Sequence, residues 1–190
     1  MAPYLQPVDK PRNLMLKIVY FFSKRMFGKV ATPIAVHSAR MPAGFLSFYG
    51  KVSRLDKKLK LPARTAAIIR EQVASTNMCL FCMDATRFYV TRKSPGDLAR
   101  FDALDGYRTS PLFTDAERAA LDYATELTSS KTVAPETFAA LKRHYDDREI
   151  CDIVWLVASE HLYNMTNIAL GIGSDGLCEM NSAREAKARA

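Results

Sequence analysis

Helical periodicity is the feature that most limits how this chain can fold. Apolar residues recur three or four positions apart in nearly every segment, and no useful length of sequence alternates between apolar and polar residues as a half-buried strand does. No Asn-Gly or Asp-Gly pair lies between two β-rich runs, so no hairpin is indicated. The apolar run IVYFF is flanked by helical pattern. The sequence therefore predicts an all-α fold.

Capping signals locate the starts of two predicted helices. Thr114 with Glu117, and Asp146 with Glu149, have capping-box spacing, in which side chains satisfy free backbone N–H groups at a helix start. Ser94 is a further candidate N-cap, because Pro95 follows it in a first-turn position. The remaining helices are predicted over 12–27, on either side of Pro42, from Pro62 to about Asn77, from Cys79, and from Pro135.

Length and composition fit one soluble globular domain. The chain has 190 residues, of which 48% are hydrophobic and 25% charged. The net charge of +7 permits attraction to anions, but no nucleic-acid-binding motif accompanies it, so no nucleic-acid partner is expected. No secretory signal is visible, which favours a reducing compartment and a cytoplasmic location.

The segment 12–27 is predicted to form an N-terminal helix with an apolar stripe. The stripe comprises Leu14, Ile18, Phe21, Phe22 and Met26, with basic residues opposite. The apolar run is too short for a membrane span, which needs roughly 20 apolar residues. Binding to a membrane surface is one use of such a helix. Covering a subunit or packing on the chain's own core is commoner, and we expect that here.

Cys79 and Cys82 form a Cys-x-x-Cys pair at the predicted start of a helix. A structural zinc site needs four ligands, whereas Cys151 and Cys178 are isolated and the three histidines are scattered, so no metal is expected. On a helix the pair shares one face and lies close enough for a disulfide. The helix N-terminus favours thiolates. The spacing thus favours a redox dithiol over the simpler alternative of two semi-buried packing residues.

Two carboxylates near the cysteines are weak candidates for proton transfer. Asp84 follows Cys82 by two positions, so on a helix it points away from it, and we expect it to stabilise the first turn through the helix dipole. Glu71 lies on the preceding helix, on the face shared by Ala67 and Ser75, and its simplest role is that of a solvated side chain.

The last predicted helix offers a better candidate. Glu160, Asn164 and Asn167 form a polar stripe in an otherwise apolar segment. A buried carboxylate there is costly unless it has partners, and its pKa can rise into a range that suits proton transfer. The stripe could equally fix helix packing or face solvent. The adjacent His161 is more often a satisfied core histidine than a base.

These residues resemble a known family. REQVASTNMCLFCMDA is similar to the core motif of the carboxymuconolactone decarboxylase and AhpD-like superfamily, in which a helix ending in Asn-x-Cys-x-x-Cys leads into the next. FTDAERAALDYATELT and LYNMTNIALGIGSDGLCEM resemble later parts of that family. The likeness covers roughly 35–180, which leaves 1–34 as an N-terminal helical extension and 181–190 as a tail. It implies an AhpD-like helical bundle that assembles as a homo-oligomer.

The cysteine pair places the chain nearer the AhpD-like branch, which includes alkyl hydroperoxide reductases. The resemblance implies that Cys82 attacks a peroxide and Cys79 resolves the product as a disulfide, whereas the dipole argument alone favours Cys79 as nucleophile. It implies a small peroxide or disulfide substrate, an unidentified thiol reductant and no cofactor.

Two positions depart from the family's proton relay. The family has a glutamate twelve residues before the first cysteine and a histidine four residues after the second, where this chain has Ala67 and Thr86. Glu160, with His161 or Tyr163 nearby, is our candidate for a repositioned relay over the cysteines.

Three functions fit these observations. An AhpD-like thiol oxidoreductase is the leading candidate. A non-catalytic helical assembly or binding protein would keep the cysteines for packing or slow redox sensing. A decarboxylase-type lyase would act on a small lactone acid, with Arg70 or Arg87 holding the carboxylate of the substrate. The lyase interpretation is weakened because this chain has no obvious histidine near the cysteine helix.

Overall fold

The structure is a computed structural model that describes residues 2–44 and 50–180. The regular structure of these residues is helical throughout, which confirms the predicted all-α class. The α-helices are α1 (Leu14–Phe27), α2 (Pro42–Gly44), α3 (Gly50–Asp56), α4 (Ala63–Thr76), α5 (Leu80–Lys93), α6 (Leu98–Asp102), α7 (Asp115–Ser130), α8 (Pro135–Lys142) and α9 (Asp147–Ala169). A π-helical turn covers Ile34–Ser38. The predicted tail, 181–190, lies outside the described residues.

The predicted capping signals are mostly confirmed. Thr114 Oγ1 accepts a hydrogen bond from the Glu117 backbone N–H at 3.2 Å, and Glu117 Oε2 accepts one from the Thr114 N–H at 3.0 Å. Asp146 and Glu149 make the same reciprocal pair at the start of α9. The segment after Ser94 differs: it begins with a 3₁₀ turn, and the Ser94 side chain makes no cap hydrogen bond there.

Helix α4 is the centre of the bundle, because α5, α7 and α9 all pack against it. The largest core cluster joins α4, α7 and α9 through side chains that include Ile69, Val73, Ala124, Ile153 and Leu156. A second cluster joins Ile68 of α4 to α5, α6 and α7. A polar side chain on α4 is therefore easily enclosed on all sides.

Helix α1 does not pack through its predicted apolar stripe. Its buried side chains are Leu16, Tyr20 and Ser23, so of the two expected roles, packing on the chain's own core is wrong, and covering a subunit stays a prediction. The opposite face of α1 is buried instead, because the Tyr20 hydroxyl donates to the Val8 carbonyl at 2.6 Å and the Phe27 ring packs on Phe88. The stripe residues Leu14, Ile18, Phe21, Phe22 and Met26 are all exposed. No helix of the described segments is both long and apolar enough to cross a membrane.

The segment after α1 is joined to the loop after α9. The buried Asp175 carboxylate accepts hydrogen bonds from the Lys29 ammonium at 2.6 Å, and from the Thr32 hydroxyl and N–H at 2.6 and 2.7 Å. The segment that follows α1 and the loop that follows α9 are thus fixed beside each other.

Candidate active site

The structure joins Cys79 and Cys82 in a disulfide at the start of α5. Cys79 is the N-cap residue of α5 and Cys82 lies in its first turn, with 5.3 Å between their Cα atoms. Cys79 is 1% exposed and Cys82 is 6% exposed. The predicted helix start and the predicted proximity of the two cysteines are both observed.

The two sulfurs lie in an apolar part of the core, close to one amide donor. Ala74 of α4, Met83 and Tyr163 pack against them. The Asn167 Nδ2 group donates to Cys82 Sγ at 3.4 Å and lies 3.9 Å from Cys79 Sγ. A donor to sulfur stabilises a thiolate over a thiol, and the first turn of α5 acts in the same direction. The residue of the polar stripe that reaches the cysteines is therefore Asn167.

Glu160 is buried two turns away from that contact. Arg70 Nη1 lies 3.1 Å from its Oε2, and Asn164 Nδ2 donates to its Oε1 at 2.8 Å. Burial raises the pKa of Glu160, although Arg70 and Asn164 oppose the rise. Seven residues separate Glu160 from Asn167, which corresponds to about 10 Å along a helix. The stripe does not face solvent, and Glu160 itself is held by Arg70 and Asn164.

A chain of side-chain amides links Glu160 to the cysteine loop. Asn164, which donates to Glu160, accepts a hydrogen bond from Asn77 Nδ2 at 2.9 Å through its own Oδ1. Asn77 Nδ2 also lies 3.4 Å from His161 Nδ1. Burial, followed by the charge of Lys131, lowers the pKa of His161, which favours its neutral form. Because Asn77 lies two residues before Cys79, Glu160 is connected to the loop that carries the first cysteine.

Glu71 is buried, so the interpretation of it as a solvated side chain is wrong. It is 1% exposed, because α4 is covered on several sides, and its Oε1 accepts a hydrogen bond from Arg87 Nε at 2.7 Å. Its Oε2 is buried without a hydrogen-bond partner. Burial raises the pKa of Glu71 from its ordinary value of 4.5 to about 7, against the opposing effect of Arg87. The only sequence signal was its place one turn after Ala67, between Ile68 and Val73.

Arg70 and Arg87 are both committed to ion pairs within the chain. Arg70 bridges Glu160 and Asp56, and Arg87 bridges Glu71 and Asp102. Holding a substrate carboxylate, the role that a lyase would give them, requires breaking these pairs.

Asp84 anchors the loop after α9, in contrast to its expected role at the first turn of α5. Its Oδ2 accepts hydrogen bonds from the Ser174 hydroxyl at 2.9 Å and from the Asp175 and Leu177 N–H groups at 3.0 Å. Its Oδ1 accepts one from the Cys178 N–H at 3.1 Å. Asp84 binds these donors, and not the first turn of α5, because a buried carboxylate needs several hydrogen-bond partners. Asp84 therefore fixes the last described loop two residues from Cys82.

Comparison with known proteins gives relatives over almost the whole chain. No family model matches it. The uncharacterized protein YnjA of Escherichia coli (strain K12) is 29% identical over 186 residues, which make up 95% of this chain and 98% of YnjA.

Solved structures with the same architecture include an enzyme and a peroxidase-related protein. The debrominase Bmp8 has a TM-score of 0.78 and 20% identity, covering 92% of this chain and 94% of Bmp8. An AhpD-core, peroxidase-related protein of Ralstonia eutropha JMP134 has a TM-score of 0.76 and 21% identity, covering 94% of this chain and 96% of that protein. The chain therefore has the all-α AhpD-like fold that its helical periodicity and its resemblance to that family predicted.

Proposed function

We propose that this chain is an AhpD-like thiol oxidoreductase that cycles Cys79 and Cys82 between dithiol and disulfide. The observation that carries the proposal is the buried disulfide at the start of α5, with the Asn167 amide donating to sulfur. An inert packing pair has no need of a polar donor, whereas a thiolate nucleophile gains from one. The AhpD-like fold supports the same class of chemistry.

The proposed cycle begins with the reduced pair and a small organic hydroperoxide. The Cys82 thiolate attacks the outer peroxide oxygen, the O–O bond breaks, and the alkoxide leaves and takes up a proton as the alcohol. The resulting Cys82 sulfenic acid is attacked by the Cys79 sulfur, which forms the disulfide and releases water. A dithiol reductant returns two electrons and two protons. Cys82 is the better nucleophile because Asn167 lies nearer to its sulfur.

The experiment is a short pulse of cumene hydroperoxide on the reduced chain, with thiols alkylated at intervals and the intact mass recorded. We carry it out in a Cys151→Ser background, since Cys151 is exposed and would react independently. We expect rapid loss of two hydrogens and of two alkylation sites, and neither loss when Cys82→Ser is added. A dithiol that survives for minutes would contradict the proposal and favour an assembly or binding role.

Reductive dehalogenation is a second candidate for the same dithiol. A Bmp8 variant with a cysteine-to-alanine change, in complex with 2,3,4-tribromopyrrole, has a TM-score of 0.79 over 97% of this chain. The packing of Ala74, Met83 and Tyr163 against the sulfurs gives surroundings of the kind that a halogenated ring favours. In the balanced reaction the aryl bromide and two thiols give the arene, hydrogen bromide and the disulfide. Substituting tribromopyrrole for the hydroperoxide in the same assay, with bromide measured, separates the two chemistries.

We further propose that Glu160 positions the cysteine loop and adjusts the Cys82 thiol through Asn164 and Asn77. In Glu160→Gln we expect the peroxide reaction to slow by about tenfold, less than the ~10²–10⁴ of direct proton transfer, because Glu160 acts on the cysteine loop through Asn164 and Asn77. The pH profile of thiol alkylation should move to lower pH, because the substitution removes a buried negative charge. The matched control is Glu71→Gln, a second buried carboxylate that holds no bond to this amide chain. Unchanged thiol pKa and reactivity in Glu160→Gln would contradict the proposal.

A further inference from the structure

Helix α1 turns an apolar face away from the rest of the chain. This face, which we name the α1 outer face, consists of Leu14, Met15, Ile18, Phe21 and Phe22, whose exposed fractions run from 46% to 71%. Ile18 is two residues from both Leu16 and Tyr20, a rotation of about 200° on a helix, so it points away from the core that those two side chains enter. An exposed apolar patch marks a contact with a protein or a membrane.

Helix α1 is fixed in this orientation by its two ends and its buried face. The Asn13 side chain caps its start by accepting hydrogen bonds from two backbone N–H groups of the first turn, and Gly28 ends it in the left-handed conformation. On the buried face, the Ser23 hydroxyl donates to the Lys29 carbonyl at 3.2 Å and accepts from the Ala31 N–H at 2.9 Å. The α1 outer face is thus already formed, so docking through it needs no ordering of the helix.

Exposed basic side chains surround the α1 outer face. They are Lys17, Lys24 and Arg25 on α1, and Lys10 and Arg12 just before it. Lys17 and Lys24 are seven residues apart, so they share one edge of the helix. Of the residues that the structure describes, no carboxylate pairs with any of these five side chains. Their charges are therefore available to a partner.

The positive charge of the chain is concentrated in the segment that includes α1. No acidic residue occurs between Asp9 and Asp56, a stretch that contains nine Lys and Arg residues. The remainder of the chain has 18 Lys and Arg residues against 20 Asp and Glu residues. The net charge of +7 is thus a local property of this segment and not of the whole surface.

We propose that the α1 outer face docks on an anionic lipid surface, with α1 lying in the plane of the membrane. In this arrangement Phe21 and its apolar neighbours enter the boundary between headgroups and acyl chains, and the basic side chains contact the lipid phosphates. A helix with aromatic and aliphatic side chains on one face and Lys and Arg beside them binds membranes in this way. The long stems of Lys17 and Lys24 let their ammonium groups reach the headgroups from the edge of the helix.

The charge favours a lipid surface over a second copy of this chain. Two copies paired through their α1 outer faces would bring together two sets of Lys17, Lys24 and Arg25 side chains, with no acidic residue of the same segment to balance them. Like charges placed side by side oppose association. An anionic membrane instead attracts every one of these side chains.

The first test is flotation of the chain with vesicles of phosphatidylcholine alone and of an equimolar mixture of phosphatidylcholine and phosphatidylserine. We expect the wild type to bind the mixed vesicles, and Lys17→Gln with Lys24→Gln to bind them about 30-fold more weakly, given how strongly an anionic surface attracts each Lys. The matched control, Lys142→Gln with Arg143→Gln, removes the same charge from exposed positions at the end of α8 and should bind like the wild type. Equal binding of the two double variants, or a wild type that ignores the mixed vesicles, would overturn the proposal.

The second test measures whether α1 enters the membrane. Phosphatidylcholine brominated on its acyl chains, mixed with phosphatidylserine, should quench the tryptophan emission of Phe21→Trp, because an interfacial helix lies about 5–10 Å into the boundary region. The wild type supplies the background, since its only tryptophan is Trp155 on α9. Quenching no greater than that of the wild type would overturn the proposal.

The third test separates a membrane from a second copy. Phe21→Ser with Phe22→Ser should weaken binding to the mixed vesicles at least about tenfold, through the loss of apolar area. Leu112→Ser, at an exposed apolar position off α1, should bind like the wild type. If the double variant dissociated an oligomer in sedimentation and bound vesicles unchanged, the face would be a contact between copies and the proposal would be wrong. None of these results depends on whether the dithiol reacts with peroxide.

Discussion

Asp84→Ala is expected to lower the free energy of unfolding by about 3–5 kcal/mol, since each buried donor left without its acceptor costs about 1–3 kcal/mol. The substitution removes the acceptor for three backbone N–H groups and the Ser174 hydroxyl. Water can reach part of the loop, so the loss of unfolding free energy is smaller than the summed cost of four unpaired donors. Urea denaturation of the reduced chain measures the change.

The control for this prediction is Asp147→Ala. Asp147 is exposed and lies 3.6 Å from the Lys142 ammonium, so its loss should change stability by less than about 1 kcal/mol. Hydrogen exchange adds a local measure: the amides of 175, 177 and 178 should lose protection only in Asp84→Ala. Equal stability of the two variants would show that Asp84 does not anchor the loop.

Glu71→Gln is expected to remove a pH dependence of stability. Burial raises the pKa of Glu71 to about 7 in the folded protein, whereas the unfolded chain has the ordinary 4.5. The folded state therefore binds the proton more tightly, and this contribution to stability is complete below about pH 4.5 and lost as the pH rises through 7. Its size is about 3 kcal/mol, at 1.36 kcal/mol per pKa unit. The free energy of unfolding of Glu71→Gln, compared with that of the wild type, should therefore rise by this amount between about pH 4.5 and pH 8. Urea denaturation at both pH values measures the change.

Glu117→Gln provides a control of opposite sign. Burial disfavours the Glu117 carboxylate, but Arg100 and the Thr114 cap outweigh burial and lower its pKa. Its ionised form stabilises the fold at neutral pH, and this contribution is lost as the pH falls. Glu117→Gln should therefore lower the free energy of unfolding most near pH 8 and least at acidic pH. Parallel pH curves for wild type and Glu71→Gln would contradict the assignment to Glu71.

Local sequence signals predicted the parts of the structure that depend on neighbouring residues. The helical class, the capping boxes at Thr114 and Asp146, and the start of α5 at the cysteines all follow from contacts within one or two turns. The resemblance to the AhpD-like family added the arrangement of these helices.

The parts that failed depend on residues far apart in the sequence. Asp84 bonds to donors 90 or more positions away, so its own helix carried no sign of its role. Glu71 is enclosed because α4 is central, which periodicity alone does not reveal. The polar stripe of α9 was correctly identified, yet which of its residues contacts sulfur depends on how α9 lies across α5.

The anchoring of the last loop has a consequence for the order in which the molecule assembles. The bonds of Asp84 close separations of 90–94 residues, and those of Asp175 to Lys29 and Thr32 close 143–146. Contacts at such separations form late, because the chain between them must be ordered first. During synthesis from the N-terminus the cysteine helix exists long before Ser174 is added. The surroundings of the two cysteines are therefore complete only after the chain has been made as far as Cys178.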